Sequence, residues 1–455
     1  MKRFAWQWLA ISSLLVATLG ARAETRPQYG GTLHVGLSAA LSSLDPADTA
    51  QDDSFARRSL TSLIFDNLVT GDSSERVQPS LAESWQAASG NRRWQFRIRR
   101  GVKFHDGTPM TAQSVAASLR FANPSWNVVA EGESVILEFE TSEPELPAEL
   151  AVARNAIVKR DPKGQLNGTG PFRIADWQPG KTLSLAADDS CWRGRAFLDG
   201  IQIALGRNYR DQMTALELGK ADLVEVAPEQ AHRISPERYR ILHSSPVELV
   251  ALQFAHEAAS AEERALRRAL SLSVERGSIY SVLLQGTGAP TASILPTWMS
   301  GYGFVFSVQA NLPKARQLRD QARVAQNWKL GYDSNDPLAH LLAERIALNA
   351  KDAGLTLQPA AAGSDLRLVR IAMASSDPLT ALDAVLKRLG LPEGRIGNSA
   401  DELYAAEQAA VASERVIPLI DLPATYAATP RLKDWRVRTD GSWDVASAWL
   451  GSAKP

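Results

Sequence analysis

Two sequence periods take turns along almost the whole chain, and this alternation restricts the fold more than any other feature. In GGTLHVGL (30–37), Leu33, Val35 and Leu37 alternate as in a strand. Phe55, Leu60, Leu63, Ile64 and Leu68 then recur close to helical spacing. RWQFRIR (93–99), GVKFH (101–105) and VILEFE (135–140) read as strands. TALELGKADLVEV (214–226) reads as a helix, a turn at Gly219 and a strand. VELVALQFA (247–255) and RVIPLIDLPATYAAT (415–429) are long apolar strands, and residues 262–284 form one long amphipathic helix in this reading. KARQLRDQA, WKLGYD and PLAHLLAERIALNAKDAGL continue as helix, strand and helix, and PAAAGS (359–364) has the composition of a linker. The predicted class is mixed α/β.

A chain of 455 residues is long enough for two or three domains at ~100–200 residues each. Its 50 basic and 50 acidic side chains balance, which speaks against nucleic acid as a partner, since that needs a basic surface. Lys2 and Arg3, the apolar run Ile11 to Leu19 and the small residues of Ala21-Arg22-Ala23 make a secretory signal peptide over 1–23. The run is too short for a mature membrane span. Without Lys2, Arg3 and Arg22 the mature balance is 47 basic to 50 acidic. Cys191 is the one cysteine, so no internal disulfide can form, and no cysteine stands at the cleavage site for lipid attachment. The expected product is a freely soluble exported, periplasmic protein held together by its core.

Motifs for chemistry are missing. The chain has no His-Glu-x-x-His, Gly-x-Ser-x-Gly, P-loop or Cys-x-x-Cys. Its six histidines are scattered, with none paired at helical spacing for a metal. NGTGPFRIADW (167–177) has glycines but leads into a strand and lacks the Lys-Ser/Thr of a phosphate loop. His105 and Asp106 stand beside Gly107, a turn dipeptide; Pro109 follows, and Thr111 is placed to cap a helix over AQSVAASLRFA. Neighbours on an extended segment face opposite ways, so His105-Asp106 reads as a turn and not as a catalytic pair.

The chain resembles the family 5 extracellular solute-binding proteins of ABC importers, which include dipeptide-, oligopeptide- and nickel-chelate-binding members. The similarity rests on YGGTLHVGL with LDPAD, IFDNLVTGD, VQPSLAESW, WQFRIRRGVKFHDGTPMTAQSVAASL, NGTGPFRI, RALRRALSLSVERGSIYSVLLQGTGAP, VIPLIDLPATYA and DGSWDVASAWL. It implies a two-lobed, type II periplasmic-binding-protein-like fold with mixed sheets and a ligand cleft at the hinge. The first lobe would be 24–255 plus 415–455 and the second 256–414, with crossovers near 247–255 and 416–427. Hinge closure would bury the ligand.

The resemblance also suggests where a ligand would sit. Leu37, Ser38, Ala39 and Ala40 follow the first strand, and Trp126, Trp298, Met373, Ala374 and Ser375 are further candidates. Arg154 falls where nickel-chelate-binding relatives carry an arginine facing the ligand's carboxylates. Two departures matter. In IAMASSDPLTAL (371–382), Asp377-Pro378 matches an Asp-Pro of the peptide binders, but the position whose Asp pairs with a peptide amino terminus falls on Ala374, and a Trp position falls on Ile371. A buried ammonium without a carboxylate is costly, which argues against an ordinary free-amine peptide. The segment from there to Leu403 is also shorter than in the family. The expected function is capture of a peptide-like or other small polar ligand and delivery to a membrane ABC permease, by a monomer, with no catalytic residue, metal or cofactor. A ligand sensor for a receptor and an exported hydrolase are the alternatives.

Overall fold

Two long antiparallel strands join the halves of a single mixed sheet. The structure, a computed structural model, describes residues 26–451 apart from 52, 72–75, 323–325, 362–363, 393–395 and 398. The signal peptide expected at 1–23 lies outside the described residues. The sheet is built from β1 (Thr32–Gly36), β2 (Phe172–Gln178), β3 (Thr182–Ala187), β4 (Gly200–Ala204), β5 (Leu223–Glu225), β6 (Arg240–Phe254), β7 (Trp328–Gly331), β8 (Leu357–Ala360), β9 (Leu366–Ala372) and β10 (Val416–Ala428). Their order is β2-β3-β4-β1-β5-β10-β6-β9-β7-β8, with the short strand Ala289–Pro290 also paired to β10. β1 runs parallel to β4 and β5, and β7 runs parallel to β8 and β9; β6 and β10 are antiparallel to each other and to their outer neighbours. The register of β6 on β10 shifts three times, and Pro423 and Pro418 sit at these irregularities. Proline cannot donate to a ladder, so a bulge is where a central strand tolerates it.

β6 shows why its sequence is apolar on both faces. Val250, Leu252 and Phe254 enter one core with helices α3 (Ala261–Ser273) and α4 (Pro337–Asp352). Val247, Leu249 and Ala251 enter another with α5 (Pro378–Arg388) and α6 (Ala400–Ala412). A strand covered on both faces loses the apolar–polar alternation. At the other half of the sheet, Leu33, Val35, Leu183, Ile201 and Ile203 pack with Trp435 and Trp443 of the C-terminal segment. A separate four-stranded antiparallel sheet (Ala82–Ala87, Arg93–Ile98, Ser134–Glu138, Asn127–Glu131) has a core of its own around Trp94, Phe96, Val115 and Leu119. The helix Ala112–Ala122 covers it, capped by Thr111 and Ser114 in a reciprocal box.

Two expected elements differ. GVKFH is no strand: Lys103 makes a single bridge to Pro109, and the Phe104 N–H donates to the Thr108 carbonyl, so the segment is a turn. The helix expected over 262–284 stops at Ser273; after a break at Val274 come a short helical segment, Arg276–Ser278, and a π-helical stretch, Ile279–Leu283. The interruption turns Arg276 inward, where its guanidinium donates to the carbonyls of Thr291, Pro418 and Ser271. Periodicity cannot report a break made by a side chain reaching for distant backbone.

His105 belongs to a structural knot. Its backbone N–H donates to the Gly168 carbonyl (2.9 Å), its Nδ1 accepts from the Gly168 N–H (3.3 Å), and its Nε2 lies 3.0 Å from the Gly170 carbonyl. An accepting Nδ1 puts the proton on Nε2, which then donates to Gly170. Burial favours the neutral ring, against the pull of the Gly170 carbonyl. Asp106 accepts from Lys159 (2.6 Å) and from the Thr108 backbone; burial opposes its ionisation, but these partners hold its carboxyl at about 2. The glycine loop in turn closes on the helix α1 (Phe55–Ile64), whose last carbonyl, Ile64, accepts from Gly170 (3.0 Å). A Cβ at Gly168 would lie 1.8 Å from that same carbonyl oxygen, a backbone atom that cannot swing aside.

Gly168→Ala is expected to cost more than about 3 kcal/mol in urea unfolding, since backbone must move. Gly107→Ala meets no atom within 4 Å and strains only a φ of +81°, so it should cost about 1–2 kcal/mol. Equal losses would show that the approach to α1 does not hold the knot.

Candidate functional site

At the end of β9, the neighbour of β6, the structure leaves a cavity of about 540 Å³. This is within the ~300–1,000 Å³ range of small-molecule sites. One wall is the segment before α1, α1 itself and the turn around Ala153; the other is the end of β9, Ala374 and the C-terminal turn of α5. A second, polar compartment of about 100 Å³ lies alongside, and Thr61, Val152, Ala153 and Ala374 line both.

α1 starts at Ser54, whose hydroxyl accepts from the Arg57 N–H, and its first turn carries two buried arginines. The Arg57 guanidinium donates to the carbonyls of Asp45, Pro46, Asp48 and Gln51, and so shapes the preceding loop. Arg58 does more. Its Nε and Nη2 form a fork on Asp53 (2.9 and 2.6 Å), and its Nη1 reaches the carbonyls of Met373 and Asp440 (2.5 and 3.1 Å). Burial works against its charge, but Asp53 outweighs this and raises the guanidinium further. Arg58 thus ties α1 to the backbone just after β9, from the other wall. In the smaller compartment Asp66 accepts from Thr169 (2.8 Å), Trp192 Nε1 (3.0 Å) and Arg193 (2.7 Å). Arg370, on β9, spans Glu248 of β6 (2.5 Å) and Asp336 (2.8 Å), and the two carboxylates raise it well above an ordinary arginine despite burial.

The candidate residues fall in different places. Arg154 lines the larger cavity from the turn Ala153–Asn155, with its guanidinium on Glu149 (2.5 Å). Ala374 lines both compartments, and Ile371 lines the larger. Asp377 caps α5 by accepting from the Thr380 N–H. Met373 is fully buried in the core beneath, offering only its carbonyl to Arg58, and Ser375 accepts from the Asp377 N–H. Leu37 is core. The Ser38 N–H is held by Glu225 (2.6 Å), whose carboxyl is pushed up by burial against the pull of Ser38. Ala39 packs against the same core as Leu37, and Ala40 faces Gly206; neither lines these compartments. Trp126 stacks edge-on against Phe139 at the separate small sheet. Trp298 donates to the Pro246 carbonyl (2.8 Å) with its ring on the surface. The four following β1 and both tryptophans lie outside the lining of these two compartments. Among the described residues no three His, Cys, Asp or Glu side chains gather for a metal, and no helix is long and apolar enough to cross a membrane.

Arg57, Arg58, Arg370, Lys387 and Arg388 were not anticipated from sequence. Adjacent arginines on an amphipathic helix read as a solvated face, and only the packing shows both to be buried.

Residues 76–369 match the family described as bacterial extracellular solute-binding proteins, family 5. The chain belongs to this family. The probable D,D-dipeptide-binding periplasmic protein DdpA of Escherichia coli is 24% identical over 340 residues, 67% of this chain and 65% of that protein. The nickel-binding protein NikA of Staphylococcus aureus is 24% identical over 234 residues, 48% of this chain and 47% of that protein. The chain thus spans about half to two thirds of the length of these curated relatives. Among solved structures, S. aureus NikA with Ni(L-His)2 superposes with a TM-score of 0.79 at 16% identity, over 92% of this chain and 100% of that one. Helicobacter pylori DppA with peptide STSA gives 0.78 at 17%, over 94% and 99%. The fold is therefore the type II periplasmic-binding-protein fold.

Arg58→Lys keeps a charge but loses the fork, and should cost at least about 2 kcal/mol of stability. Arg58→Met removes every donor, to Asp53 and to the buried Met373 carbonyl alike, and should cost more, about 3–4 kcal/mol. Urea titration measures both; the reverse order would mean that the desolvation of the buried charge outweighs what its partners return.

Proposed function

We propose that this chain is the extracytoplasmic ligand-capture protein of an ABC importer. Residues 24–255 with 415–455 form one body and 256–414 the other, and they close over a ligand by bending at β6 and β10. The observation that carries the reading is the cavity at the end of β9, the neighbour of β6, with walls from both bodies. Closure would exclude water and strengthen the polar contacts inside. The closed form is then what a permease recognises. The signal peptide over 1–23 supports export to the periplasm, and the near-neutral composition speaks against a nucleic-acid partner; in this reading the chain works as a monomer.

Binding needs a shaped cavity and not a nucleophile with its base. The His105 ring is spent between two glycines and Asp106 is tied to Lys159, so the signature turn supplies no reacting pair. The relatives point to one frame with different cargoes: DdpA is named for D,D-dipeptides and NikA for nickel, while AgaA of A. tumefaciens was solved with agropinic acid. Ala374 at the wall favours a ligand that does not rely on a primary ammonium.

Protein spanning 24–455, purified from an exporting host, should carry a stoichiometric small molecule in native mass spectrometry. Its radius of gyration in small-angle scattering should fall when ligand is added back. A protein that stays empty and open with extracts, peptides, metal chelates and sugar acids would sink the reading.

A further inference from the structure

Away from the cleft, residues 256–414 hold a buried cation that no acid touches among the described residues. Arg276, just past the break after Ser273, is 3% exposed. Its Nε donates to the carbonyls of Thr291 and Pro418 (both 2.9 Å) and its Nη1 to that of Ser271 (3.1 Å); Nη2 makes no bond among the described residues. Two other buried arginines are each held by a carboxylate, Arg58 by Asp53 and Arg267 by Glu263. The acid next to Arg276 in sequence, Glu275, turns to Arg345 (3.2 Å). Carbonyls orient a guanidinium but do not balance its charge, and a buried charge is ordinarily paired. Burial, together with the nearby Arg268, draws Arg276 down to about 10, and Glu414 pulls the other way. At neutral pH Arg276 is still a cation.

Arg276 lines a pocket of about 110 Å³, room for several waters or one small oxyanion. This pocket shares no residue with the two compartments at the cleft. Arg268 and Ser271 of α3, Pro418 of β10 and Ser307 are on its wall. Its charged residues are Arg268, Arg276 and Glu414. Arg268 donates to Glu414 (3.1 Å), which takes up that acid on one of the two cations, while about half of the Arg268 side chain stays exposed. One positive charge is left over in a partly enclosed space, where solvent and salt screen it less than at the surface. The Ser307 hydroxyl accepts from the Gln309 N–H (3.4 Å) and keeps its own proton to donate.

We propose that this pocket binds one small oxyanion, a tetrahedral anion or a monocarboxylate, on Nη2 of Arg276 with Arg268 and the Ser307 hydroxyl. The anion supplies the counter-charge to a guanidinium that holds the Pro418 carbonyl of β10, at a point where the register of β10 on β6 shifts. Binding therefore stabilises a strand that crosses between the two halves of the sheet. The site stands apart from the cleft and does not depend on the capture reading.

Protein spanning 24–455 is titrated with sodium phosphate, sodium sulfate and sodium acetate, each against sodium chloride at equal ionic strength, by calorimetry and thermal unfolding. At least one oxyanion should bind once per chain with a Kd of about 1 mM or tighter and raise the melting temperature as its concentration rises, beyond any effect of chloride. Phosphate or sulfate without acetate assigns a tetrahedral anion; acetate alone assigns a carboxylate. Ser307→Asp puts a carboxylate at an exposed position on the wall, and should weaken binding at least tenfold without lowering the melting temperature in chloride. Arg276→Gln should abolish binding, and where that variant does not fold, Ser307→Asp decides alone. No response to any of the three oxyanions beyond that to chloride, or undiminished affinity in Ser307→Asp, overturns the proposal.

Discussion

Arg58 is the residue on which the geometry of the cleft depends. It stands on α1, is nearly fully buried, and holds Asp53, Asp440 and the backbone after β9 together. A buried guanidinium is tolerable only when its donors are matched, and here they are divided between one carboxylate and carbonyls from distant parts of the chain. The consequence is mechanical. α1 cannot shift relative to residues 372–374 without stripping a buried charge of its partners. The two walls of the cavity therefore meet at a fixed floor.

α1 is fixed from its other end as well. Gly170 donates to the carbonyl of Ile64, and Gly168 approaches so closely that only a hydrogen fits. The His105 ring then locks the two glycines to the turn before the Thr111 helix. The stretch that looks most like chemistry in the sequence is thus taken up by structural contacts. It links the small four-stranded sheet to the helix that carries Arg57 and Arg58.

Local pattern was sufficient for most elements because each has its own period. The β6 and β10 runs, the Thr111 cap and the strand after NGTG are readable without partners, and the mixed α/β class follows from their alternation. What the sequence could not show are features made by contacts across the chain. The break after Ser273 exists because Arg276 finds the carbonyls of Thr291 and Pro418. GVKFH has strand-like composition, yet its partner is its own turn. At the site, Arg154 and Ala374 stood out through family resemblance, and both line the cavity. Arg370, Lys387 and Arg388 had no such signal: a helix ending in Lys-Arg is ordinary, since cations suit a C-terminal turn. Leu37 to Ala40 were candidates through the resemblance alone; the packing adds that Leu37 is core and that Glu225 takes the Ser38 N–H.

These constraints also indicate where ligand choice can vary. The floor cannot change easily, because the Met373 carbonyl is already engaged by Arg58 and the Met373 side chain is core. Ala374 is the first position above it that faces both compartments, and alanine there presents no charge. Discrimination must then come from side chains further out, on the turn at Ala153–Asn155 and at the end of α5. Both are element termini, where substitution leaves the sheet and its cores untouched. The glycine knot and the arginine floor can stay as they are while the charges at those two termini are exchanged.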